Sequence, residues 1–159
     1  MELQTENQTE KFRQNVAALL HYKDKYLGCY RACYDSWQTV QGGIEDFDLS
    51  PREAMIREMK EELFLDKNNY QIHYQSKYWR RYRFTNNILK RQKKNNYIGQ
   101  EQMWFLVELF SVDDIDLKKF QSEFDKVELF SFSDFYAKYS PWKKAPFADF
   151  CLEVNLTHE

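Results

Sequence analysis

GGIEDFDLSPREAMIREMKEEL, residues 42–63, is the stretch on which the reading of this chain turns. Ser50 can cap a helix, Pro51 suits a first turn, and Glu53 stands three residues after the cap, so a helix is expected over 50–64. At about 100° per residue, Met55, Ile56, Met59 and Leu63 fall in one quadrant of that helix, and Glu58, Glu61 and Glu62 in another. Glutamates on a helix are often no more than its solvated face. Carboxylates held this close repel one another, however, and the cluster calls for a positive group among them. Arg57 lies on a third face, where it can hold a neighbouring loop but cannot neutralise all three acids. Hard divalent cations such as magnesium prefer an all-oxygen ligand set and reach substrate phosphates at the same time.

Outside that helix the composition is that of one ordinary domain. With 159 residues, 43% hydrophobic and 30% charged, the chain reads as soluble and globular and is long enough to bury a core. The aromatic share, 18%, is high. A net charge of −2 hides an uneven distribution, because nine Lys or Arg and no acid stand between Lys67 and Gln100, in segments that include YWRRYRF and KRQKKNN. Such a segment is either a solvated basic loop or a surface for a phosphate-rich partner.

Cys29, Cys33 and Cys151 are odd in number and lack paired metal-ligand spacing. They point away from a disulfide framework or zinc site and are expected to be small buried residues in a reducing compartment. His21, His73 and His158 form no ligand cluster and are expected to be structural or exposed. The start MELQTENQTEK lacks the apolar core of a signal peptide, and no run reaches membrane-spanning length, so a cytoplasmic location without a membrane partner is expected.

Apolar, β-branched and aromatic runs predict strands at 15–22, 25–32, 70–79, 101–110 and 127–132, with YKDK as a hairpin turn between the first two. SDFYAKY and the tail from Pro146 to Asn155 read as helical, interrupted by Pro141 and Pro146. QKKNNYIGQ reads as a loop by composition. The result is a mixed sheet with helices on it, α/β or α+β, in one domain over 11–156 behind a flexible N-terminus at 1–10.

The stretch 42–63 resembles the Nudix box, with its glycine, a glutamate, Arg-Glu, an apolar residue and Glu-Glu at fixed spacing. SWQTVQGGI, YIGQEQMWFLVEL, WRRYRF, SEFDKVELFSF and FRQNVAAL extend the resemblance to the bacterial RNA pyrophosphohydrolases and the plant-type diadenosine tetraphosphate hydrolases. Departures stand beside the matches. Val40 replaces a proline, and one extra residue between Gly42 and Arg57 moves the box glutamate's position to Asp48 with Leu49 inserted. Phe64 stands where the box has glycine, so the loop after the helix is expected to be built differently.

The resemblance implies an α/β/α sandwich, with the mixed β-sheet between helices, and metal-dependent hydrolysis of a nucleoside diphosphate linked to another moiety. It implies metal positions at Glu58, Glu61, Glu62, Glu123 and Gly42, with magnesium or manganese and more than one ion. Glu62 and Glu123 are the candidates for general base, and Arg57 anchors the box loop by hydrogen bonds. Arg13 and Arg31 match arginines that meet 5′ phosphates, Gln41 belongs to the same substrate set, and Trp142 with Lys143 matches a base-stacking pair. Burial in the core is the competing role for Trp142. The implied substrate is 5′-triphosphorylated or diphosphorylated RNA. A dinucleoside polyphosphate is the alternative, and a domain that binds nucleotide or RNA without cleaving it is a third reading.

Overall fold

Strands β1 (Lys11–Tyr22) and β2 (Lys25–Arg31) form the hairpin expected around YKDK, with Tyr22 opposite Lys25 and Lys23 in the left-handed region at φ 53°. The computed structural model describes residues 11–86, 96–113, 115 and 124–157. After β2 come β3 (Ser36–Gln38) and β4 (Val40–Gly43), then helix α1 (Pro51–Leu63). Strands β5 (Tyr70–Gln75), β6 (Arg80–Arg83), β7 (Tyr97–Leu109) and β8 (Lys126–Phe130) follow. Helices α2 (Phe132–Lys138) and α3 (Lys144–Glu153) close the described chain.

The strands make one mixed sheet running β3-β2-β1-β7-β5, with β4 on β1, β6 on β7 and β8 on β2. Only the β1–β7 pairing is parallel among the described strands. Alternation along β1 splits its side chains between two cores. Val16, Ala18 and Leu20 pack with Met55, Met59 and Leu63 of α1 on one face. Ala17 and Leu19 pack with Trp104, Phe135, Phe147 and Phe150 under α2 and α3 on the other. The sheet is therefore sandwiched between helices, and the high aromatic content is spent mainly on the second core, where Tyr139 and Phe147 stack at 4.0 Å.

Several boundaries move relative to the sequence reading. The expected strand 70–79 ends at Gln75, and a separate short strand follows at Arg80–Arg83. Of QKKNNYIGQ, read as a loop, Tyr97 to Gln100 open β7, where pairing with β1 and β6 outweighs a loop-like composition. Pro146 interrupts nothing, because it stands in the first turn of α3, where a missing N–H is harmless. All three cysteines are free, but Cys33 is exposed rather than buried. Among the described residues no helix is long and apolar enough to cross a membrane.

The end of α1 corrects another expectation. Phe64 keeps the left-handed cap that glycine would take, at φ 58° and ψ 29°, and its N–H donates to the Lys60 carbonyl while that of Leu65 donates to Met59. The loop is built as the box would build it, with a side chain in a conformation that costs a non-glycine residue about 1–2 kcal/mol. Because Phe64 is 43% exposed, little burial offsets that strain. Phe64→Gly is expected to stabilise the fold by about 0.5–1 kcal/mol after glycine's entropic cost is subtracted, seen as a higher urea midpoint at unchanged slope.

Candidate active site

Gly42 and Gly43 end β4, where one side chain of α1 and one of β1 close in on the strand. A Cβ at Gly42 would stand 2.1 Å from the Glu58 carboxylate carbon, and one at Gly43 would stand 2.1 Å from Arg13 Nη2. The glycines thus let an acid from the helix and a base from β1 press against the strand from its two sides. Beyond them the loop to α1 is held by Arg57. Its Nε and Nη2 donate to the two oxygens of Asp48 at 3.1 and 2.8 Å, and Nη2 also donates to the Gly43 carbonyl at 2.9 Å. The guanidinium reaches further than its place on the wheel indicated, donating from Nη1 to Glu58 at 2.9 Å and to Glu61 at 3.2 Å.

The three glutamates divide by environment. Glu58 and Glu62 are buried, at 7% and 8% exposure, beside Met55, Met59 and Ala54, while Ile56 is only partly covered. Glu61 is turned outward to Arg57. Burial raises the Glu58 pKa against the opposing pull of Arg57, and Glu58 also shares a side-chain hydrogen bond with Glu62. Two buried carboxyl groups in such contact need either a shared proton or a cation. Among the described residues no three acidic, histidine or cysteine side chains converge as a ready-made cation cage. The Glu58–Glu62 pair with Glu61 one turn away nonetheless fits a hard divalent cation that completes its shell with other oxygens. The divalent cation implied by the resemblance to the Nudix box suits this donor set.

Across a cleft of about 540 Å³ from these acids lie Arg13, Arg31, Gln41, Trp142 and Lys143. Trp142 is partly buried, edge-on to Tyr82 and Tyr34 at ring separations of 5.6 and 6.5 Å, so it lines the cleft instead of joining the main cores. Lys143 is buried, and its ammonium donates to Gln38 Oε1 at 2.7 Å. Gln41 donates to the same oxygen at 3.2 Å and accepts from Gln102 at 2.9 Å. Gln102 in turn donates to Asn15 at 3.0 Å and accepts from the Trp104 indole at 3.1 Å. A chain of amides therefore fixes Gln41 and Lys143 from the core outward.

Desolvation pushes the Lys143 pKa down to about 7, with Arg31 pushing the same way and Glu62 opposing. The unfolded chain would hold that proton up to the ordinary value of 10.5. Between about 7 and 10.5 the unfolded state thus binds more protons, so this group makes stability rise with pH, and its full penalty is present below about 7. Lys143→Met is expected to be more stable than the parent at pH 6, by ~2 kcal/mol, and to flatten the rise in stability between neutral and alkaline pH. Urea titrations across that range check it.

The structure brings together Gly42, Arg57, Glu58, Glu61, Glu62, Arg13, Arg31, Gln41, Trp142 and Lys143 around one cleft. Glu123 lies outside the described residues. Arg80, counted in the basic segment, does not face this cleft. It is buried against α3, donating to Asp149 at 2.7 Å and Glu153 at 2.8 Å, because the acids that neutralise it come from a distant part of the chain. Sequence reasoning missed Asn15, Tyr82 and Gln100 on the cleft wall. Asn15 follows Arg13 by two along a strand, a spacing that could have flagged it.

Comparison with known proteins accords with this geometry. The NUDIX domain model matches residues 11–150. The RNA pyrophosphohydrolase of Mannheimia succiniciproducens is 41% identical over 101 residues, covering 63% of this chain and 51% of that protein. That of Actinobacillus succinogenes is 38% identical over 117 residues, 72% of this chain and 59% of the relative. The chain thus spans little more than half the length of the curated relatives it matches. Among solved structures, the E. coli dihydroneopterin triphosphate pyrophosphohydrolase superposes with TM-score 0.72 at 17% identity, covering 91% of this chain and 99% of that one. A C. elegans Ap4A hydrolase complex gives 0.66 at 14%, covering 90% and 98%; at such identities these two show the shared fold. A match that runs from the first residue of β1 into α3 is far more than a lone motif, and the chain belongs to the NUDIX domain family.

Proposed function

We propose that this chain is an RNA 5′-pyrophosphohydrolase, which converts the 5′-triphosphate or diphosphate end of RNA to a 5′-monophosphate and so opens transcripts to decay. The observation that carries the reading is the single cleft in which the carboxylate helix faces Arg13, Arg31, Trp142 and Lys143. A substrate with several phosphates at one end and a base nearby needs both halves of such a site. Relatives named RNA pyrophosphohydrolase support the same reading. In this proposal residues 11–156 act as one catalytic domain.

Glu58, Glu61, Glu62 and Glu123, with Gly42, would hold magnesium or manganese, more than one ion in all. Bound there, the metal supplies charge neutralisation for the polyphosphate and acidifies water. The chain's own residues do the rest. Arg13 and Arg31 bind phosphate oxygens at the open end, and Gln41 is oriented toward the same space by Gln102. Trp142 offers a ring face or edge to a base, and Lys143 a donor beside it. Glu62 or Glu123 accepts the proton of the attacking water, and Arg57 holds Glu58 and the loop in place.

The test is release of phosphate and pyrophosphate from a short 5′-triphosphorylated RNA, run beside diadenosine tetraphosphate at equal concentration with magnesium. Faster release from the RNA is expected. Preference for the dinucleotide would overturn the substrate assignment, and turnover of neither would leave a domain that only binds.

A further inference from the structure

Beyond the cleft, the pairing of β6 with β7 and of β7 with β1 sorts side chains into rows across three strands. Arg13, Gln100 and Tyr82 form one row and line the cleft. The rows on either side of it, Phe12–Gly99–Arg83 and Gln14–Glu101–Arg81, project from the opposite face, because alternate residues of a strand point to opposite sides. On that face the Phe12 ring lies 4.4 Å from the Arg81 guanidinium carbon and 5.9 Å from that of Arg83. Gly99 makes the arrangement possible, since a Cβ there would stand 3.0 Å from the Phe12 ring and 2.0 Å from the Tyr82 carbonyl oxygen. Glu101 accepts from Arg81 Nε at 3.1 Å and from Gln14 at 3.0 Å, which fixes the guanidinium above the ring. Arg83 is exposed and the Arg81 side chain is 62% exposed.

None of Phe12, Arg81 and Arg83 lines the cleft. The face joins an aromatic ring to two exposed guanidiniums, one of them fixed by an ion pair to Glu101. The combination suits a single-stranded nucleic acid, whose phosphates pair with guanidinium forks and whose bases stack on rings and guanidinium planes. Its location names the occupant. Phe12 and Arg83 are the immediate chain neighbours of Arg13 and Tyr82 on the cleft wall, and β6 borders β7 on the side away from β1. A strand leaving the cleft past β6 meets this face next.

We propose that the Phe12–Arg81–Arg83 face binds the body of the RNA downstream of the end held in the cleft, so that RNA length beyond the first bases adds to affinity. The proposal rests on the RNA reading above and makes the face a second, sequence-tolerant subsite. The test uses the full chain and the double variant Arg81→Ala, Arg83→Ala on two substrates, a 5′-triphosphorylated trinucleotide and a 5′-triphosphorylated single strand of about 20 nucleotides. The variant is expected to lose about tenfold in kcat/KM on the long RNA and nothing on the trinucleotide, with the salt slope for the long RNA shallower by about 1.4 for two lost phosphate contacts.

A binding measurement separates this subsite from the catalytic reading. Anisotropy of a labelled 5′-hydroxyl RNA, which has no terminal phosphates for the cleft, should show weaker binding by the Ala pair and intermediate binding by Arg81→Lys, Arg83→Lys, which keep the charge but not the guanidinium plane. If the parent cleaves neither triphosphorylated substrate, the RNA pyrophosphohydrolase reading fails while this binding arm still decides the surface. Parental affinity of the Ala pair for the 5′-hydroxyl RNA, or equal losses on the trinucleotide and the long RNA, would overturn the proposal.

Discussion

Glu62→Gln is expected to lower kcat/KM on triphosphorylated RNA by about 10²–10³-fold while leaving the thermal midpoint unchanged or raised. The substitution keeps the side chain's volume and removes one charge from a buried pair. Glu62 and Glu58 are in hydrogen-bond contact, and burial already raises the Glu58 pKa. A neutral amide relieves the repulsion, so the fold has little to lose. What goes is the affinity of the pair for a divalent cation and one of the two candidate bases. Kinetics across a magnesium titration, alongside thermal unfolding, check both halves. Unchanged turnover at saturating metal would remove Glu62 from the site, whereas collapse of the fold would mean that the carboxylate serves structure first.

The second large effect belongs to Arg57→Ala, expected to cost about 3 kcal/mol of stability and most of the activity together. The guanidinium makes a bidentate pair with Asp48 and holds Gly43, Glu58 and Glu61 besides. The Asp48 side chain is only 4% exposed, so its charge would be left without that partner while its backbone contact to Glu45 remains. Arg57→Lys keeps a charge but not the fork, and should recover only part of the loss. Acid gives an independent signature. Arg57 holds the Asp48 pKa below its ordinary 3.8, so this contribution is present above that value and lost as pH falls through the lower folded value. The gap between parent and variant should therefore narrow below about pH 4. A gap that stayed constant into acid would assign the stability of Arg57 to packing rather than to the ion pair.

How much of this was legible in the sequence depended on how local each feature is. The helix 50–64 could be read because its cap, proline and apolar spacing all lie within it. Arg80 could not be read, since the acids that bury it lie on α3, 69 and 73 positions away. β3, β4 and β6 are three or four residues long, too short to show a period. The left-handed Phe64 was misjudged because its hydrogen bonds belong to the helix end and are indifferent to the side chain. The amide chain from Lys143 to Trp104 joins residues far apart along the polypeptide, and only register brings them together.

The parallel pairing of β1 with β7 has a consequence during synthesis. Asn15 and Gln102 bond across the centre of the sheet although 87 positions separate them. Until β7 has left the ribosome, β1 lacks its longest partner, and the wall row of Arg13, Gln100 and Tyr82 cannot form. The nascent chain must therefore carry the inner side chains of β1 without their full cover for more than half of its length, and the apolar face of α1 until β7 arrives. A ribosome-arrested chain ending before Tyr97 should be digested by protease throughout, and one extended past Asn155 and clear of the exit tunnel should resist.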